Sequence, residues 1–116
     1  MPVELRPSQA LRLWHDVMFD IVRDGEPDLS ARQMAVLLTV YLEPPPHTVR
    51  GLAAKLKVTK PAITRALDTM GKLKLLDRRR DAADRRNVVV QRTVEGALAV
   101  ERLGDMIVAR TRELPL

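Results

Sequence analysis

Five guanidinium groups fall close together in this chain, at Arg78, Arg79, Arg80, Arg85 and Arg86, with Asp81 and Asp84 set among them. Guanidinium stays charged at any working pH, and its planar fork of donors matches phosphate and carboxylate oxygens. A second polar group lies upstream: Thr59, Lys60, Pro61, Thr64 and Arg65. At helical spacing these residues share one side of a helix, while Ala62, Ile63, Ala66, Leu67, Met70 and Leu73 share the other. Thr59 suits either a helix cap or a phosphate contact. Lys60 reaches a phosphate or a base edge. Thr64 offers a hydroxyl and a methyl group, and Arg65 offers a two-pronged contact to guanine. This is the chemistry of recognising a charged polymer rather than of making or breaking bonds.

The distribution of charge agrees. From His47 to Arg92 there are thirteen Lys or Arg against four Asp, a balance of +9, whereas the rest of the chain carries −4 and the whole +5. A basic middle between acidic flanks marks a segment that faces a polyanion, although a solvated basic surface would have the same composition. Catalytic chemistry has little to stand on. His15 and His47 lie far apart, and there is no phosphate-cradling glycine loop. Asp16, Asp20 and Asp24 recur every four residues, which could line up carboxylates, but they read as an exposed acidic helix face rather than a metal site. No cofactor and no metal are expected. The chain has no cysteine, which excludes disulfides, thiolate metal sites and thiol redox sensing, and suits a reducing cytoplasm. No signal peptide and no membrane-spanning segment are expected.

The elements that position these groups follow from periodicity and punctuation. At 116 residues, with 46% apolar and only 3% aromatic residues, the chain suits a small, helix-rich single domain. Ser8 is the expected cap of a first helix carrying Leu11, Trp14, Met18, Ile21 and Val22, which Gly25-Glu26-Pro27-Asp28 would end. Ser30 opens a second helix through Met34, Leu37, Leu38 and Tyr41, stopped by Pro44-Pro45-Pro46. His47-Thr48-Val49 reads as a short strand, with Thr48 also a cap for a helix over Val49–Leu56. Thr59 caps the next helix, and Pro61 falls in its first turn, where a missing N–H is harmless. Leu75 and Leu76 start a strand, Asp81 to Arg86 make a charged tip, and Val88-Val89-Val90 return. Thr93 caps a last helix running to about Glu113.

The expected fold is therefore mainly α with a small antiparallel β-hairpin, a winged helix-turn-helix. Its helix Thr59–Leu73 would enter a major groove, with Leu76–Arg92 as the basic wing. Residues 1–28 and 93–116 would flank a core at 29–92. The residues from Leu29 to Gly96 resemble the MarR-type winged-helix transcriptional regulators. The likeness runs through Leu29-Ser30, Val49-Arg50-Gly51-Leu52-Ala53 and Val58-Thr59-Lys60-Pro61-Ala62-Ile63-Thr64-Arg65. It continues through Arg79-Arg80-Asp81-Ala82-Ala83-Asp84-Arg85-Arg86 and ends at Thr93-Val94-Glu95-Gly96. The resemblance implies a dimer on a pseudo-palindromic duplex site. Asp84 would order the wing, and Arg86 or Arg85 would reach the minor groove. Arg50 joins the expected DNA-binding residues.

Two positions depart from the family pattern. Lys74 stands where glycine is usual after the recognition helix, and Arg92 where leucine is usual before Thr93. The chain also carries one helix after the wing where the family has more, so the usual dimer frame is expected to be reduced. Leu11, Trp14, Met18 and Ile21, with Leu98, Leu103 and Ile107, are the expected contacts of a homodimer. The expected function is sequence-specific binding of double-stranded DNA in transcription regulation, in the cytoplasm at the nucleoid. The alternative is a winged-helix module that docks on another protein.

Overall fold

Five helices and a three-stranded antiparallel sheet make up the computed structural model, which describes residues 2–25 and 27–115. Glu26, one of the residues expected to end the first helix, lies outside them. The chain resolves into two units, one of residues up to Asp28 together with those from Glu101 on, the other Leu29–Val100.

In the Leu29–Val100 unit, Ser30 caps α2 (Ala31–Leu42) as expected. Its side chain accepts from Gln33 N at 3.1 Å, and the Gln33 side chain accepts from Ser30 N at 2.8 Å. After the three prolines comes β1, which is only His47–Thr48; Val49 already belongs to α3 (Val49–Leu56), whose cap is Thr48. The turn into α4 (Lys60–Lys72) passes through Lys57 in the left-handed region, and Thr59 Oγ1 accepts from Ala62 N at 3.2 Å. Strands β2 (Leu76–Arg80) and β3 (Val88–Arg92) form the hairpin, in the register Leu76 to Arg92 and Arg80 to Val88. The order is β1-β3-β2, so the hairpin gains a third, two-residue strand paired through His47–Val90 and Thr48–Val89.

The core of this unit is aliphatic. Val36 and Val40 of α2, Leu52 of α3, Ile63, Leu67 and Met70 of α4, and Leu75, Leu76 and Val90 of the hairpin are all buried. Ala62, Ala66, Leu67 and Met70 face inward as expected, but Leu73 does not: it caps α4 and is exposed. Two features secure the root of the hairpin. The Tyr41 hydroxyl accepts from Thr93 N at 3.0 Å and lies 3.1 Å from Leu75 O and 3.0 Å from Thr93 O, the two acceptors for its single proton. Gly96 passes directly beneath it, where any Cβ would run into Leu75 O and the Tyr41 hydroxyl oxygen. Arg92 covers the end of α2, donating from Nε to Val40 O (2.9 Å) and from Nη2 to Glu43 O (3.2 Å), with its guanidinium over the Tyr41 ring.

In the other unit, α1 (Pro7–Asp24) begins earlier than Ser8. Arg6 takes the cap position, its N–H donating to Gln9 Oε1, and Pro7 takes the first turn. Gly25, at φ 78°, closes the helix in the left-handed conformation. The last helix, α5 (Val94–Thr111), begins in the Leu29–Val100 unit, where Thr93 Oγ1 accepts from Gly96 N, and ends at Thr111 rather than near Glu113. Its second half is tied to α1 by Arg110, which holds both carboxylate oxygens of Asp20 at 2.6 and 2.7 Å. That fork holds the Asp20 carboxyl below its ordinary pKa. Among the described residues no helix is long and apolar enough to cross a membrane.

Candidate nucleic-acid interface

The helix pair α3–α4 and the hairpin β2–β3 carry the basic residues. On α4, Lys60, Pro61, Thr64 and Arg65 are exposed, while Ala62, Ile63, Ala66 and Leu67 between them are buried. Thr59 Oγ1 accepts the capping bond and keeps its own proton to donate, beside the exposed polar groups of Lys60, Thr64 and Arg65. Arg50, in the first turn of α3, is exposed as well.

The wing is built more tightly than its charge implies. Asp81 N donates to Asn87 O at 3.0 Å and Asn87 N to Asp84 O at 3.0 Å, which closes the tip. Asp84 holds Arg86 three times: Oδ1 accepts from the Arg86 backbone N–H and from Nε, both at 3.1 Å, and Oδ2 from Nη2 at 3.3 Å. These bonds, the side-chain one first, pull the Asp84 carboxyl below its ordinary value of 3.8, and the Arg50 charge adds a smaller pull. The Arg86 side chain nevertheless remains 82% exposed, so its orientation is constrained while its outer face is open. The structure thus brings Asp84 and Arg86 together at the tip.

The three consecutive arginines of β2 do not act together. Side chains alternate along a strand, and Leu76 faces the core, so Arg78 and Arg80 share its face and Arg79 takes the opposite one. Arg78 Nη2 donates to Asp68 Oδ1 of α4 at 2.7 Å, and Arg80 Nη1 donates to Arg85 O at 2.9 Å inside the tip. Arg79 and Arg85 are exposed. The alternation was available in the sequence once Leu76 is taken as a core residue, but the partner Asp68 was not. Arg92 stood out in the sequence only as a departure. Its task is to satisfy carbonyls of α2, for which no local signal exists.

The sheet-flanked helix pair defines a winged helix-turn-helix protein. Residues 28–87, more than half of the chain, match the profile of the MarR family, and the chain belongs to that family. Solved structures agree on the fold. A mutant of S. aureus MepR bound to an oligodeoxyribonucleotide has a TM-score of 0.75 at 22% identity, over 95% of this chain and 82% of that one. CouR, a transcriptional repressor bound to a 23-mer DNA duplex, has 0.72 at 23%, over 91% and 72%. The transcriptional regulator BldR from Sulfolobus solfataricus has 0.62 at 24%, over 94% and 84%. No curated protein sequence matches the chain.

Proposed function

We propose that this chain is a sequence-specific double-stranded DNA-binding transcriptional regulator of the cytoplasm, acting at the nucleoid. In this reading α4 lies in a major groove and the wing reaches an adjacent minor groove. The observation that carries it is the pairing of an open polar face on α4 with a wing whose Arg86 is oriented by Asp84 yet outwardly free. Arg65, Thr64 and Lys60 face base edges, with Pro61 and Thr59 setting the helix entry. Arg50, Arg79 and Arg85 meet phosphates, Arg80 stiffens the tip, and Arg86 enters the minor groove, where a narrowed groove favours arginine. The DNA-bound relatives in the same fold support this reading. The protein acts as a homodimer, because one module offers too little contact for useful specificity. The exposed Leu11, Trp14, Met18 and Leu98, with the half-buried Ile21, Leu103 and Ile107, form the contact.

Duplex binding by fluorescence anisotropy tests the reading, with bound sites first recovered from genomic fragments. Log affinity is expected to fall linearly with log salt, by about 0.9 per phosphate neutralised. Replacing Arg85 and Arg86 together with Ala is expected to abolish tight binding, and Arg65→Ala to narrow the gap between the recovered site and random duplex. Unchanged affinity in the double variant would remove the wing from the interface. A pull-down that keeps a protein partner after nuclease treatment, with no duplex binding at low salt, would favour a protein-docking module instead.

A further inference from the structure

Asp68 sits on the reading side of α4, one turn beyond Thr64 and Arg65, and is exposed. An acidic group there works against phosphate binding unless something neutralises it. Arg78 does so from the wing. It lies on the strand face shared with Leu76, opposite the buried Val90 in the hairpin register, and that face turns it toward α4. Its Nη2 reaches Asp68 Oδ1 at 2.7 Å, the short distance of a charge-assisted hydrogen bond, with the two side chains 34% and 53% exposed.

We infer that the Asp68–Arg78 pair is a strut between the recognition helix and the wing, and that Arg78 serves duplex binding as a positioning residue rather than as a phosphate contact. The strut spans ten residues of chain and joins the two elements that must enter neighbouring grooves at a fixed separation. The middle of β2 is thereby braced against α4 by Arg78, while its end is braced against the tip through Arg80 and the Arg85 carbonyl. The consecutive arginines divide into two internal braces and one outward charge, Arg79. The role in binding rests on the DNA-binding reading above; the strut itself does not.

The sign of one substitution separates the alternatives. If Arg78 met phosphate and Asp68 were merely a solvated acid, Asp68→Asn would remove a negative charge near the DNA and tighten binding. If the pair is a strut, Asp68→Asn and Arg78→Gln each weaken binding by about fivefold, the scale of a single partly exposed ion pair, and the double variant is no weaker than either single one. A second arm needs no DNA. The chain has no cysteine, so spin labels on cysteines introduced at Lys72 and Ala83 report the helix-to-wing distance alone. That distance distribution is expected to broaden in both single variants. Tighter or unchanged binding by Asp68→Asn, additive losses in the double variant, or distributions of unchanged width would each overturn the inference. If the unsubstituted protein binds no duplex, the function proposed above fails, and the labels still decide the strut.

Discussion

Lys74 is the residue whose conformation contradicts its side chain. It follows α4 at φ 61°, in the left-handed region, where a Cβ costs about 1 kcal/mol and glycine costs nothing. The sequence already marked it as a lysine in a glycine's place, and the structure puts it in the conformation that glycine would ease. Its carbonyl accepts from Thr93 Oγ1 at 2.7 Å, a bond that a glycine keeps. Lys74→Gly is therefore expected to stabilise the protein by up to about 0.5 kcal/mol, once the added freedom of the unfolded chain is subtracted from that cost. Denaturant unfolding measures it, and equal or lower stability would mean that the lysine side chain makes up the strain. Not every residue was as readable. Tyr41 looked like one more apolar position of a helix, and nothing near it in the chain signals that its hydroxyl closes a junction with Leu75 and Thr93. Such a role depends on partners 34 and 52 residues away.

Elements were legible wherever a local rule governs them. Ser30, Thr48, Thr59 and Thr93 are all side-chain caps, and each fixed a helix start to within a residue. The hairpin spans Leu76–Arg92 because β-branched and apolar runs bracket a polar tip. The start of α1 was misplaced because Pro7, with its fixed φ and missing N–H, suits the first helical position, which makes Arg6 rather than Ser8 the residue before the helix. The short strand at His47 and Thr48 was expected, but its pairing with β3 was not, because two residues carry no signal of what they pair with.

The wing's order has a pH dependence whose sign follows from Asp84. A carboxyl held below 3.8 in the folded protein stabilises the tip fully above that value, and the contribution is lost as pH falls through the depressed pKa. The Arg86 amide, which donates to that carboxylate, is expected to shift in NMR spectra only below pH 3.8. A midpoint above 3.8 would mean that the ionised group is not held by Arg86. At neutral pH the tip should be indifferent to small changes of pH.

At the scale of the whole chain, the two units differ in how well each covers its apolar surface. The Leu29–Val100 unit buries an aliphatic core of its own. In the other, Val17 is the one fully buried apolar residue among those described, while Leu11 is 69% and Trp14 65% exposed. The Asp20–Arg110 fork orders that unit, but a largely exposed apolar face is a reason to associate. Sedimentation at micromolar concentration is expected to give a dimer, and Trp14→Glu to shift it toward the monomer. A monomeric unsubstituted protein would remove this face from the proposed contact.

The closure at the root of the hairpin also sets where the DNA-facing part of the molecule ends. The family match stops at residue 87. Yet the carbonyls of Val40 and Glu43 are covered by Arg92, the Tyr41 hydroxyl by Thr93, and the space beneath that hydroxyl fits only Gly96. A reading head cut at the boundary of sequence similarity would leave the end of α2 open to water and Tyr41 without its partner. The smallest piece with these needs met runs through the first turn of α5.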